Sequence, residues 1–557
     1  MPDNDSKIGY SQKLRERLTR AENLTRAEKK GATRIGCCLY CLLLCILGMV
    51  FPISDTLTNV EMENGYYTES YQFALCLGAI GIMVYVLLVL VRDIQPLTAD
   101  EPSNNKHQRN NGDIAVIDVG KTDERGDPPM DPEIHIGGAG TNLYFRIGGF
   151  VFSLGAAAYC ALRFVAAYEG VIPPSCHGPF KQAVDIVMII FTLMQSFLYV
   201  KYHTLVINRH KAVMRMCMMH LVATNLALWL SATTHETAND IGHKLYNLSV
   251  SENSSEHGRS CHDSHTVYDY VSRFVYPTVI EYGLFGAGAA YALYLNIGKQ
   301  ANRSRVATMV ASPKICSKAW CHNNFHRSYP GMILGLVVVV STAAGIGLFY
   351  STEDKEASNP ADRAFSEYIF LLMELMLMIA ALVSATFMYL FLRNLKYVGI
   401  EEDNFDTKLL IVTQSGVYAL AAFMLLGAIH ALNVGVDVQY GLFFLAHALI
   451  SVVQSSFQTS IIIDGFSRTA HRDEHCRKKP GQSVITLLVL VNLSMWMSAT
   501  FIFAEVGQVE FFDEFFGIIP WSMITRLFTP LVIFYRFQSS TSLADIWQKA
   551  YKTRQID

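Results

Sequence analysis

Charge is scarce in this sequence: Asp, Glu, Lys and Arg make up 17% of its 557 residues, against roughly 25% in soluble domains. With 51% hydrophobic residues and a positive mean hydropathy, the chain argues against several soluble domains and for the bilayer as its solvent. It has no large basic face either; at a net charge of −3 nothing would track a phosphate backbone, and nucleic acid is not an expected partner. Patterns of the H-E-x-x-H, P-loop and G-x-S-x-G type are missing, so an enzyme has little support. No strand is expected before Gly137, Gly138 and Gly140 and no Lys-Ser/Thr pair follows them, so they do not support a phosphate cradle. Twelve cysteines without regular spacing do not form a disulfide framework. Cys316, Cys321, His322 and His326 depart from paired C-x2-C spacing, so neither metal nor cofactor is expected. The basic, polar first 34 or so residues also lack the pattern of a cleaved signal peptide and are expected to stay in the mature chain.

What the sequence does have is apolar runs long enough, at about 20 residues, to cross about 30 Å of hydrocarbon. They fall at 35–53, 72–91, 145–164, 184–206, 214–231 and 274–297, then at 332–350, 368–392, 409–432, 440–463, 484–503 and 518–537. An all-α polytopic membrane protein of twelve spans follows. Residues 1–34 are a cytoplasmic arm, 35–297 and 332–540 two six-helix domains, 298–331 the loop between them and 541–557 a cytoplasmic tail. Residues 93–141, rich in Asp, Asn, Gly and Pro, read as a disordered cytoplasmic linker. Lys and Arg alternate with acidic loops: Lys13 to Arg34 precede the first span, and Asp55, Glu61, Glu63 and Glu69 follow it. Both termini are therefore expected in the cytosol. On the opposite side fall two glycosylation sequons, Asn247 with Ser249 and Asn253 with Ser255, and two cysteines, Cys176 and Cys261, placed to pair across loops.

The two domains repeat one another. Asn225-Leu-Ala-Leu-Trp229 in helix five returns as Asn492-Leu-Ser-Met-Trp496 in helix eleven. One helix later, Pro277-Thr-Val-Ile-Glu281-Tyr282 returns as Pro530-Leu-Val-Ile-Phe534-Tyr535; one helix earlier, Gln195-Ser196 returns as Gln454-Ser455. A six-helix unit repeated in the same orientation gives two pseudosymmetric bundles, a parallel repeat about an axis along the membrane normal. Pro277 and Pro530 are expected to bend or unwind their helices, because proline lacks an amide donor.

Polar groups inside these spans need a partner or water, since a central charge costs on the order of 2.5 to 3.5 kcal/mol. The matched set is Gln195, Asn225, Tyr282, Gln454, Asn492 and Tyr535; Gln458, Gln414 and Tyr418 are less symmetric. Interhelical hydrogen bonding would explain any one of these alone, at about 0.6 kcal/mol. Six in matched places read instead as a route for protons, with His220, Glu281 and Glu374 as further members and Glu236 and Glu505 at its outer mouth. Glu281 and Glu374 could equally pair with Arg163 or another buried base. A proton-coupled transporter and a non-conducting receptor or scaffold remain the competing functions.

These residues resemble the otopetrin family of proton channels over nearly all twelve helices. The resemblance rests on His220-Leu-Val-Ala-Thr-Asn225-Leu with Trp229, on Glu281-Tyr282 after Pro277, and on Gln454 with Gln458-Thr459. Asn492 with Trp496 and the stretch Pro530-Leu-Val-Ile-Phe-Tyr-Arg-Phe537 complete it. It implies proton conduction activated by external acid, in a plasma-membrane homodimer of two-barrel subunits in contact with membrane lipid, sterol included. It also implies a Gln–Asn–Tyr triad in each half, here Gln195, Asn225 and Tyr282, then Gln454, Asn492 and Tyr535. The chain departs from the vertebrate-like pattern at Arg526 and Gln538, where histidines are expected; a fixed cation and an amide remove a switch near neutral pH.

Overall fold

The computed structural model describes residues 31–55, 67–94, 133–171, 179–252, 267–299, 325–353, 360–399, 404–435, 438–503 and 510–551. The membrane helices of the first half are α1 (Gly31–Asp55), α2 (Tyr67–Tyr85, prolonged by irregular turns to Asp93), α3 (Leu143–Tyr168), α4 (Pro179–Tyr202) and α5 (Lys211–Glu252), followed by a short α6 (Val267–Val275) and α7 (Pro277–Asn296). In the second half come α8 (Phe325–Glu353), α9 (Pro360–Leu392), α10 (Phe405–Val434), α11 (Val438–Phe466), a short α12 (Asp473–Lys478), α13 (Gln482–Ser498), a short α14 (Glu510–Phe516) and α15 (Ile518–Lys549).

Eleven of these helices are long and apolar enough to cross a membrane. The twelfth expected span, α7, has the length at 20 residues but is rich in Gly, Ala and Tyr and buries Glu281. It depends on its neighbours rather than on lipid. Large side chains such as Ile35, Leu336 and Phe365 stay exposed along α1, α8 and α9, as a hydrocarbon-facing surface requires.

The packing itself repeats. In the first half α5 packs on α1, α2 and α7, α4 on α2, α3 and α7, and α3 on α7; in the second, α13 packs on α8, α9 and α15, α11 on α9, α10 and α15, and α10 on α15. Glycines make corresponding crossings close: a Cβ on Gly48 of α1 would sit 2.6 Å from Ala227 Cβ of α5, and one on Gly331 of α8 would sit 1.8 Å from the Ser483 carbonyl oxygen of α13. The Gly331 amide also donates to Ser483 Oγ at 2.8 Å. Gly331→Ala must therefore push backbone apart and is expected to cost about 1 to 3 kcal/mol, read as a lower melting temperature of the detergent-solubilised chain.

At one end of the bundle, short antiparallel pairs repeat as well. β1 (Ile134–Ile136), just before α3, pairs with β2 (Leu205–Ile207), just after α4; β3 (Lys396–Tyr397), just before α10, pairs with β4 (Arg468–Thr469), just after α11. Near the first pair Arg146 donates to Val200 O and faces His203 Nδ1, both at 3.1 Å. Burial and that guanidinium push the His203 imidazole down to about 4, so it stays neutral at physiological pH.

Three expectations change. The stretch 93–141, expected to be a disordered linker, carries β1 directly before Gly137, held there by its pairing with β2. Helix five runs to Glu252 rather than stopping near 231, because its polar continuation carries Glu236, Asp240 and Lys244 at i, i+4 spacing against charged partners on α14 and α15. Asn247 consequently lies on the end of α5. The prolines also behave differently: α6 stops at Val275 and α7 starts at Pro277, whereas Pro530 sits inside an unbroken α15 and does not unwind it. A bundle interior tolerates proline where neighbouring helices support the freed backbone group.

Candidate polar sites within and between the halves

The amide and phenol groups matched by the repeat are all buried, at 3% exposure or less, yet neither half joins its three into one unit. In the first half Tyr282 Oη lies 3.1 Å from Gln195 Oε1 and 2.9 Å from Thr192 O, and Gln195 Nε2 donates to Tyr199 Oη at 2.7 Å. Asn225 stands apart. Its Nδ2 donates to Leu221 O of its own helix at 2.7 Å, and its Oδ1 accepts no hydrogen bond among the described residues. Gly283 and Gly286 bring α7 hard against it: a Cβ on Gly283 would meet Asn225 O at 3.2 Å, and one on Gly286 would meet Asn225 Oδ1 at 2.2 Å.

The second half is arranged the other way round. Gln454 Nε2 donates to Gln458 Oε1 at 2.9 Å, and Gln458 exchanges two hydrogen bonds with Asn492 at 2.9 and 3.1 Å. Tyr535 is the member left out, donating to Ser455 O and meeting Thr459 Oγ1, each at 3.0 Å. Gln458 was not singled out from symmetry, because Tyr199 rather than an amide stands four residues after Gln195. Spacing could have found both, since i and i+4 share a helical face.

A second group that the sequence reading passed over is Arg536, 3% exposed, whose Nη1 donates to Gln454 Oε1 at 2.6 Å. Its signal was a lone cation inside an apolar run. Arg536 lines a cavity with Glu374, His447, Ser451, Val417 and Val532, leaving about 20 Å³ to the centre of a water-sized sphere, room for a single water. Glu374 Oε2 accepts from Ser498 Oγ.

The remaining candidates divide. His220 accepts from Tyr40 Oη at 2.9 Å on Nδ1 and approaches Leu75 O at 3.2 Å with Nε2; it ties α1, α2 and α5 together. Arg163 pairs with Asp185, not with Glu281 or Glu374. Glu281 is 2% exposed, with the Trp496 indole of α13 beside its carboxyl group. Phe534 occupies the matched place in the second half. Glu505, Asn253, Cys176 and Cys261 lie outside the described residues, as do Cys316, Cys321 and His322.

α15 joins the halves, packing on α3, α5 and α7. At the end with the strands, Asn142 caps α3 through Phe145 N at 2.6 Å and donates to Asp406 Oδ1 at 3.1 Å, while Gln538 Nε2 reaches the same oxygen at 3.3 Å. Between the ends, Phe145 and Phe152 meet Phe405, Phe534, Phe537 and Trp496, with ring centroids 4.8 to 6.4 Å apart. Toward the opposite end Arg526 pairs with Glu236 at 3.0 Å and Asp240 at 3.5 Å, and Lys244 with Asp513 at 3.0 Å and Asp240 at 3.9 Å. Tyr276, at the α6–α7 break, donates to Ala232 O at 3.2 Å and is within electrostatic reach of Glu236 and Arg526. Arg526 and Gln538, the two departures from the vertebrate-like pattern, thus sit at two polar clasps about three turns apart.

A sequence profile described as Otopetrin matches residues 144–269 and 247–537. The chain is 25% identical to the proton channel OtopLc of Drosophila melanogaster over 568 residues, covering 93% of this chain but only 35% of that protein. It is 22% identical to the mouse proton channel OTOP2, covering 67% of this chain and 76% of the relative, and 21% identical to the human proton channel OTOP3, covering 72% of each.

Proposed function

The chain belongs to the otopetrin family, and from that premise we propose that it is a proton-selective channel and not an enzyme. The observation that carries this reading is the buried run Gln454–Gln458–Asn492, hydrogen-bonded from α11 to α13 inside an apolar bundle. Linked amides in such a place order water, and protons pass along ordered water without a pore wide enough for a hydrated metal ion. The relatives' names as proton channels support the same activity.

In this reading the chain is a multi-pass plasma-membrane protein with both termini cytosolic, a homodimer set in lipid and sterol, each subunit holding two six-helix domains. The end with the strand pairs faces the cytosol, and the Arg526 clasp faces outward. External acid then opens that clasp, in which Glu236 and Asp240 on α5 and Asp513 on α14 face Arg526 and Lys244.

The test is whole-cell recording during external acidification with sodium and chloride replaced. The expected reversal potential moves by about 59 mV per pH unit, the value for one charge per tenfold gradient. A reversal potential that ignores the proton gradient sinks the channel reading, and saturable flux that needs a co-solute favours a transporter.

A further inference from the structure

We propose that Arg536 is a positioning residue of the second half, setting the direction of its amide run and sharing a water with Glu374; this deepens the proton-channel reading and rests on it. Amide groups are ambiguous by nature, since oxygen and nitrogen exchange places with little change in shape. A guanidinium has donors and no acceptor. With Arg536 Nη1 on Gln454 Oε1, the Gln454 amide nitrogen must turn to Gln458 Oε1, and Gln458 in turn presents its nitrogen to Asn492 Oδ1. Asn492 Nδ2 also donates to Leu488 O of its own helix at 2.9 Å, so the run is held at one end by Arg536 and at the other by the α13 backbone, and Arg536 sets the direction of Gln454 and Gln458.

The first half supplies an internal control. Counting from Pro277 and Pro530, Gly283 stands where the second half has Arg536. Gln195 there takes its partner from the Tyr282 hydroxyl, which both donates and accepts and so imposes no direction. Asn225 is left unlinked to Gln195; among the described residues its partner is its own helix carbonyl, a bond that Asn492 also makes, to Leu488 O. Loss of the cation and loss of the continuous run occur together.

Arg536 and Glu374 both line the cavity without a direct ion pair between them, and its roughly 20 Å³ suits one water. A water placed there accepts from the guanidinium and donates to the carboxylate, while Ser498 holds the other side of Glu374. A polar path then runs from Ser498 through Glu374, water, Arg536, Gln454 and Gln458 to Asn492, beginning and ending in the α13 segment. His447 and Ser451 of α11 form the remaining polar wall.

The experiment compares Arg536→Lys with Arg536→Gln in the whole chain, with proton current divided by surface protein. Lysine also donates without accepting, so it keeps the direction and is expected to hold current within about threefold of wild type; glutamine can turn either way and is expected to lose about tenfold or more. Equal impairment of the two at equal surface abundance, or full current in Arg536→Gln, overturns the proposal. A purely structural arginine predicts matching losses of abundance and no rescue by lysine. Infrared spectra of the purified chain give a second readout: the carboxyl band that Glu374→Gln abolishes should shift in Arg536→Lys, and an unmoved band rejects the shared water. That band is readable whether or not wild type conducts, so absent wild-type current sinks the channel reading alone.

Discussion

Asn492→Ala should cut proton current by at least about tenfold at unchanged surface abundance, while Asn225→Ala should change it by less than about threefold. Repeat symmetry gives the two asparagines equal standing; hydrogen bonding does not. Asn492 exchanges two bonds with Gln458 across helices, so alanine leaves fully buried amide groups unpaired, at about 1 to 3 kcal/mol each. It also cuts the run at its end. A barrier raised by about 1.4 kcal/mol already slows transfer tenfold. Asn225 has only an intrahelical bond to lose, to Leu221 O, and its oxygen accepts none among the described residues. Whole-cell current normalised to biotinylated surface protein makes the comparison. Equal losses would return both residues to interhelical packing, and a larger loss at Asn225 would move the route to the first half.

Removing the charge of Arg526 is the second large effect. Arg526→Met leaves Glu236 and Asp240, with side chains 27% and 7% exposed, without the guanidinium they share. Exposed pairs contribute up to about 1 kcal/mol and breaking buried ones costs about 3 to 5. These partly exposed groups fall between, at roughly 2 kcal/mol. The expected signs are a lower melting temperature and an activation threshold displaced toward neutral pH, because a clasp already loosened needs less acid to open. Arg526→His should depend on pH in the opposite sense from wild type at this contact. Imidazole is neutral at pH 7.5 and gains its charge on acidification, so the contact forms as pH falls. Current–pH curves of the three proteins decide it; identical thresholds would remove the clasp from gating altogether.

How much of this was readable in the residues follows from which forces act locally. Long apolar runs are a local property, and α1 to α4 or α8 to α11 could be drawn from hydropathy. The extension of α5 could not, because Glu236, Asp240 and Lys244 lower hydropathy while their partners Asp513 and Arg526 lie more than 260 residues away. Strands of two or three residues carry no periodicity, so β1 to β4 were invisible. The repeat selected the six amide and phenol groups but not their connections. Gly283 and Gly286 against Asn225 in one half, and Arg536 with Gln458 in the other, are the departures from symmetry that decide which groups touch. Arg536 stands among apolar neighbours in the Pro530–Phe537 stretch, where nothing local marks it as the partner of Gln454.

α15 also sets the order in which the chain packs. It leaves the ribosome after every helix it packs against. Until it arrives, Phe145 and Phe152 of α3 lack Phe534 and Phe537, Asp406 lacks Gln538, Glu236 lacks Arg526, and Gln454 lacks Arg536. Nascent chains fold from the amino terminus as they emerge, so both bundles wait, incompletely packed, for the same late segment. Assembly of the two repeats thus ends in one shared step, and a cell inspecting either half inspects both.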